Sequence, residues 1–236
     1  MTGILAIDTA TEACSVALYI DGDISERHEI TPRQHSQRLF SMLRELLPTG
    51  KLREQGVDVI AYGCGPGSFT GLRIAASAAQ GLAFANELPA VAVSTLASQA
   101  QSALRQALVT SDDSVLSVID ARINEVYAAT YSFQQGLAHT SSGAVACAPS
   151  AVFLPEGCAQ AHGVGSGCQF LGDMPESVQA ALVSNHPDLV PSARDMIPLA
   201  LQQWEQGKTL SAQDVQPVYV RDEISWKKLS QQGKQA

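Results

Sequence analysis

A chain of 236 residues is long enough for two small lobes, each with its own core, and needs no cross-links to hold it together. With 45% hydrophobic and 16% charged residues, and no apolar tract of the ~20 residues that cross a bilayer, its composition is that of a soluble protein and excludes membrane insertion. A net charge of −8, from 15 Lys and Arg against 23 Asp and Glu, excludes a chain that grips nucleic acid alone, because phosphates are met by a basic face.

The N-terminus, MTGILAIDTATEAC, has neither the basic lead nor the cleavage site of a signal peptide, so the chain is expected to stay in the cytoplasm. Residues 3 to 9, GILAIDT, predict a buried strand and 14 to 20, CSVALYI, a second, with Asp21-Gly22-Asp23 supplying turn chemistry. TPRQHSQRLFSMLRELL predicts an amphipathic helix with Thr31 as N-cap, Pro32 in the first helical position and Gln34 completing a capping box. VDVIAYGC at 57 to 64 predicts a strand, followed by a glycine-rich loop and a helix, GLRIAASAAQGLAFANE. AVAVSTL is the next strand and ASQAQSALRQAL the next helix, an order β-β-α-β-α-β-α that implies a mixed sheet with helices against it.

After a polar break at 110 to 113 the pattern restarts with VLSVID and EVYAATYSF around the tight ARIN connection. A first domain over 1–108 and a second over 109–222 are therefore expected, with 223–236 a polar tail that frays. Residues 134 to 172, rich in Ala, Ser, Gly and Cys, predict short strands and loops. PSARDMIPLALQQWEQG predicts a helix that Pro198 kinks or divides in two.

The loop GCGPGSFTG, between a strand and a helix expected to begin near Gly71, brings backbone N–H groups to a positive helix end, the usual basis for holding an anion. It is not a Walker A loop, since Leu72 follows Gly71 where lysine would stand, and the spacing of a dinucleotide fingerprint is absent. A plain turn built on Pro66 and Gly67, with Thr70 capping the helix, accounts for it equally well. Arg73 adds a cation to the positive end of that helix, so an anion is expected beside it: Asp8 or Glu12 of the same lobe, or a bound phosphate.

Asp8 ends the first strand, followed by Thr9 and Thr11, in the manner of a carboxylate that holds a hydrated metal or orients a phosphate. In sugar-kinase, actin and heat-shock ATPases a glycine follows that Asp; here Ala10 stands in its place. Asp120 ends VLSVID in the same way, and DARINE contains no glycine. Side chains where backbone must come close point to nucleotide loops that have decayed.

The five cysteines, Cys14, Cys64, Cys147, Cys158 and Cys168, never fall as C-x-x-C and are expected to be reduced and mostly buried. No H-x-x-x-H or H-E-x-x-H pair occurs, Ser68 lacks the G-x-S-x-G spacing of a nucleophile elbow, and His35 reads as a residue of a helix first turn. No catalytic set emerges. The alanine-rich helix, with small or apolar residues around most of its circumference, is expected to offer a second face to a partner.

The segments ILAIDTATEACSVAL, HSQRLFSMLRELL, GPGSFTGLRIAASAAQGLA, AVSTL, IDARINEVYAATY and PVYVR resemble the bacterial TsaB (YeaZ) proteins from about residue 4 to 221, most strongly in the first half. The resemblance implies a two-domain α/β fold of the actin-like ATPase (ribonuclease H-like) class, with mixed sheets flanked by helices. It implies a non-catalytic but required subunit of the complex that makes threonylcarbamoyladenosine in tRNA. Such a subunit pairs with TsaD, works with the ATPase TsaE, forms homodimers when alone and meets tRNA only through the complex. No cofactor or metal is expected on this chain alone; ATP and Mg serve the complex.

Carried onto this chain, the signature residues are Gly65, Gly67, Ser68, Phe69, Thr70, Gly71 and Arg73, and the helix contacts are expected at Leu39, Leu43, Ile74, Ala75, Ala78 and Ala79. Ala76 and Gln80 stand where many relatives carry glycine and lysine, so an anion-binding role for that lysine does not transfer. Two rivals remain at this level, a peptidase-like protein and a small-molecule kinase of the same fold; the first needs a nucleophile or metal, the second tight Mg-ATP binding.

Overall fold

The computed structural model describes residues 2–221, so the tail expected at 223–236 lies outside the described residues. The opening apolar run forms β1 (Ile4–Asp8), buried at every position and paired antiparallel with β2 (Ala13–Ile20). The turn at Asp21 and Gly22 leads into a third strand that the hydrophobic pattern does not reveal, β3 (Asp23–Ile30). Its sequence, DISERHEI, lies at the sheet edge and stays largely exposed, so it needs no apolar run.

The first helix, α1 (His35–Leu46), starts three residues later than its capping pattern suggests. Thr31 N–H donates to the Glu12 carbonyl at 2.9 Å and Arg33 turns the chain at φ 67°, so Thr31 continues the sheet rather than capping a helix. Gln34 then precedes His35 without any side-chain cap, and the capping box does not form. Next come β4 (Val59–Gly65), α2 (Phe69–Asn86), β5 (Ala90–Ser94) and α3 (Thr95–Arg105). The first sheet runs β3-β2-β1-β4-β5, antiparallel on the β2 side of β1 and parallel on the β4 side.

The second sheet, built from β6 (Val115–Arg122), β7 (Glu125–Gln134), β8 (Leu137–Cys147), β9 (Ala161–Val164) and β10 (Leu182–His186), runs β10-β9-β6-β7-β8. It repeats the plan of the first: β6 sits in the middle, with an antiparallel hairpin on one side and two parallel strands on the other. Residues 134 to 172 are more regular than their composition suggests, since β8 alone takes 11 residues. Its Ala, Ser and Gly residues carry too little hydrophobic contrast to show an alternation. The short α4 (Glu176–Ala181) leads into β10.

On the first sheet, α1 and α2 cover one face, packing Leu39, Met42, Ala75 and Ala79 over Ile7, Val16 and Ile60. The other face is covered by α5 (Ala193–Glu205), whose Met196, Ile197 and Ala200 fill the space over Ile4, Ala61 and Val91. Pro198 lies inside α5, which continues through it as one helix rather than two. Leu210 then pairs with Ala90 and Val218 N–H reaches the Cys64 carbonyl at 2.8 Å. The chain from 193 to 218 thus belongs to the first lobe, which corrects the division at 108/109: the face of β1 and β4 left bare by α1 and α2 has to be covered from the far end of the sequence.

Between the sheets, α3 packs against α5, and one carboxylate locks the pair. Asp195, 2% exposed, accepts from Ser102 Oγ and Arg105 Nε, each at 2.5 Å, and from Arg105 Nη2 at 3.0 Å. Among the described residues no helix is long and apolar enough to cross a membrane. Asp195→Ala leaves the partly exposed guanidinium and a buried hydroxyl without their acceptor, and is expected to cost about 2–3 kcal/mol. Urea unfolding checks this, with the midpoint falling at constant slope.

Candidate functional site

Because β1 and β4 are parallel neighbours, the loops that follow them emerge at the same edge and meet. Ser68 N–H donates to the Ala10 carbonyl at 2.7 Å, and Thr9 Oγ1 donates to the Gly71 carbonyl at 2.7 Å. A Cβ on Gly67 would lie 2.4 Å from the Ala10 oxygen, and one on Gly71 would lie 1.9 Å from the Thr9 oxygen. Backbone pressed on backbone is what demands glycine here. Gly65, at φ 125°, is closed off in turn by the Val218 carbonyl, 2.7 Å from where its Cβ would stand.

The signature loop is therefore a close-packed turn, and α2 begins at Phe69 with Ser68, not Thr70, as its cap. The Ser68 hydroxyl accepts from Gly71 N–H at 3.4 Å, while Thr70 is exposed on the first turn.

Asp8 lies at the bottom of this contact, 2% exposed, its carboxyl set directly over Gly63 of β4. Oδ1 accepts from Ala10 N–H at 2.7 Å; Oδ2 is buried with no partner among the described residues. Burial pushes this carboxyl up to about 6, against the opposing pull of the Ala10 N–H. Thr9 is spent on Gly71, and Thr11 Oγ1 accepts from Ala13 N–H at 3.3 Å.

Asp120 takes the corresponding place near the end of β6. It caps its own turn, accepting from Arg122 N–H at 2.8 Å and from Arg122 Nη1 at 3.1 Å. Arg122, Ile123 and Asn124 all occupy the left-handed region, which makes the connection to β7 tighter than the ARIN span suggests. The second lobe also has its own glycine loop, which the sequence analysis did not single out. Gly165, Ser166 and Gly167 follow β9, the parallel neighbour of β6, just as GPGS follows β4. Ser166 Oγ accepts from Asp120 N–H at 3.1 Å, and a Cβ on Gly165 would lie 2.4 Å from the Val118 oxygen. The signal was present as GVGSG, inside a stretch whose periodicity is weak.

Arg73 does not pair with Asp8 or Glu12. Its guanidinium lies 3.7 Å from the centroid of the Phe69 ring, and its Nε donates to Tyr219 Oη at 3.0 Å. Asp8 is enclosed and cannot be reached, so the cation is met by the face of the Phe69 ring and by the Tyr219 hydroxyl. Tyr219 belongs to PVYVR, which runs as a strap from one lobe to the other. At its first-lobe end Tyr62 Oη donates to the Gln216 carbonyl at 3.0 Å. At the other end Arg221 donates to Glu125 and to the Ala121 carbonyl, and faces the Tyr127 ring.

Beneath the strap, between the two glycine loops, opens a cleft of about 1110 Å³. His35 stands in its wall, 9% exposed, and its Nε2 has no partner among the described residues. The cysteines are free thiols, and burial raises Cys14 to about 11 and Cys64 and Cys168 to about 12, which leaves those three protonated and inert. Among the described residues no group of three or more His, Cys, Asp or Glu is placed to hold a metal ion.

The helix contacts expected from the sequence need correction. Leu39, Leu43, Ala75, Ala78 and Ala79 all belong to the core of the first lobe, and only Ile74 reaches its margin. The alanines let α2 lie close on its own sheet. The outward face instead presents Phe40, 53% exposed, and Phe84, 71% exposed, on two helices that touch one another. Trp at Ala75 or Ala79, both fully buried, would therefore disrupt the fold rather than only an interface.

A carboxyl whose folded pKa is raised favours the protonated native state, so its contribution is lost as pH climbs from about 4 through about 6. Asp8→Asn is expected to be near neutral at pH 4 and to stabilise by about 2 kcal/mol at pH 7, measured by urea unfolding at both values. Gly71→Ala forces the two loops apart and is expected to cost about 3 kcal/mol in the same assay.

Comparison with known proteins bears on the whole of this architecture. A sequence profile described as TsaD, tRNA N6-adenosine threonylcarbamoyltransferase, matches residues 27–193. The Escherichia coli (strain K12) protein named tRNA threonylcarbamoyladenosine biosynthesis protein TsaB is 43% identical over 232 residues, covering 96% of this chain and 97% of its own length. The Haemophilus influenzae protein of the same name is 35% identical, with 96% of each chain covered. A solved structure of YeaZ from Pseudomonas aeruginosa aligns with a TM-score of 0.85 at 41% identity, covering 93% of this chain and 100% of that one. The two mixed sheets flanked by helices are thus those of the actin-like, ribonuclease H-like fold class. Since likeness of this degree extends along nearly the full length in sequence and in structure, the chain belongs to the TsaB (YeaZ) family.

Proposed function

We propose that this chain is a required, non-catalytic subunit in the cytoplasmic synthesis of threonylcarbamoyladenosine in tRNA. In this reading it holds the transferase TsaD, works alongside TsaE and forms a homodimer when alone. The observation that carries the reading is the near full-length identity to proteins named for that pathway. The geometry adds support of two kinds. The loop after β1, where an actin-like ATPase brings backbone to phosphate, is covered here by Gly67 and Gly71 packed on Ala10 and Thr9. On the outward side, α1 and α2 expose two large aromatic rings, the residue type that anchors protein interfaces.

ATP and magnesium serve the assembled complex in this scheme, and the net charge of −8 suits a subunit that reaches tRNA only through its partners.

The test is a purified mixture of TsaD, TsaE, the enzyme supplying threonylcarbamoyl-adenylate, ATP, magnesium and tRNA, with and without this chain. Modification is expected only with the chain present; equal modification without it overturns the reading. Phe84→Asp, on an exposed position, is expected to weaken co-elution with TsaD by more than about tenfold while leaving thermal unfolding unchanged. Full affinity in that variant moves the docking face away from the outer side of α2.

A further inference from the structure

The cleft between the lobes is where large apolar side chains gather. Among the described residues nine of them are exposed, and four, Phe69, Ile123, Val218 and Tyr219, line this one space. Apolar surface collected in one place on a chain in water marks a site of contact. Ile123 is the extreme case. It is 83% exposed at the turn between β6 and β7 and sits at φ 56°, a conformation unfavourable for a β-branched residue. Neither feature serves the packing of the second lobe, which leaves the cleft in front of the turn as the place where this side chain is used.

The path of the chain indicates what covers it. Val218, Tyr219, Val220 and Arg221, the last described residues, all line the cleft, and Arg221 is fastened there by Glu125 and the Ala121 carbonyl. Residues 222–236, outside the described residues, continue from that clamp. Their sequence, DEISWKKLSQQGKQA, is not uniformly polar: Ile224, Trp226 and Leu229 stand within its first eight residues, and Trp226 is one of only two tryptophans in the chain. The cleft, at about 1110 Å³, is about 10 Å across, and three extended residues already span about 10 Å, so these side chains are within its reach. Charge favours the same course. From 224 onward the segment carries Lys227, Lys228 and Lys234 and no acid, whereas residues 115 to 192 of the second lobe hold six carboxylates with Arg122 as their only Lys or Arg. Tethered so near, the segment meets the cleft at an effective concentration of about a millimolar, at which even a weak contact is populated.

We propose that residues 224–229 of this chain fold back into its own interlobe cleft. Ile224 and Trp226 lie against Ile123 and Val218, and Lys227 and Lys228 turn toward the acidic second lobe. The space between the lobes is then closed by the chain itself, and a ligand or partner enters it only by displacing Trp226.

The test reads the fluorescence of Trp226 in the full chain, with Trp204→Phe leaving it as the single tryptophan. Its emission is expected to be blue-shifted, and acrylamide is expected to quench it about threefold less than it quenches the free peptide of residues 222–236, at every protein concentration. Ile123→Asp removes the apolar tip and places there a residue that tolerates positive φ better. It is expected to bring quenching close to the peptide's value without lowering thermal unfolding. In the chain with Trp204 intact, Trp226→Ala is expected to shift the amide NMR signals of residues 119 to 123, which locates the contact independently of the first variant. Quenching equal to that of the free peptide, protection that grows with protein concentration and so reports a second copy, protection untouched by Ile123→Asp, or amide signals untouched by Trp226→Ala each overturns the proposal.

Discussion

Two backbone segments, the turn after β1 and the loop after β4, are so close that neither Gly67 nor Gly71 can carry a side chain. Much of the first lobe follows from that contact. It fixes where α2 starts, and hence which face of the helix lies on the sheet and which looks outward. It seals Asp8 beneath Ala10, so the carboxyl loses its water and gains a single N–H in exchange. It also leaves Gly65 facing the chain's last described segment, where Val218 closes the space. The second lobe repeats the arrangement with Gly165 and Gly167 against Val118.

The two copies differ in what they do with their carboxylates. Asp8 is enclosed, partly unpaired and biased toward its protonated form, whereas Asp120 remains open to the cleft and is neutralised by its own turn and by Arg122. The same pair of loops has thus yielded a dry core position in one lobe and a surface ion pair in the other. Arg73 fits this asymmetry: with Asp8 out of reach, its charge is placed against Phe69 and Tyr219, which couples the helix start to the strap.

Where the sequence was legible, the reason is strong local contrast. β1, β2, β4 and β6 are apolar runs between turn residues, α1 carries leucines at helical spacing, and α2 is a long alanine-rich run after a glycine loop, so the presence of these elements, though not the helix starts, needs no tertiary knowledge. β3 escaped because an edge strand with one face in water has no apolar run to display. The core and the outer face of α2 were confused because alanine serves either purpose; only burial separates Ala75 and Ala79, inside, from Phe84, outside. The cap of α2 moved from Thr70 to Ser68 because a hydroxyl can cap from either position and the choice was made by the Ala10 carbonyl, 58 residues away in sequence. His35, Ser166 and Tyr219 come together only through the topology, and no local pattern marks them as neighbours.

The return of α5 to the first sheet has a consequence for how the protein is made. During synthesis β1 to β5 leave the ribosome with one face covered by α1 and α2 and the other, centred on Ile4, Ala61 and Val91, still bare. That face stays open while the entire second lobe is translated, and closes only when Met196, Ile197 and Ala200 arrive. The second sheet, continuous in sequence from Val115 to His186, can form meanwhile. The nascent chain therefore completes its lobes in the reverse of their genetic order, with the N-terminal one finished last and an apolar surface exposed to chaperones until then.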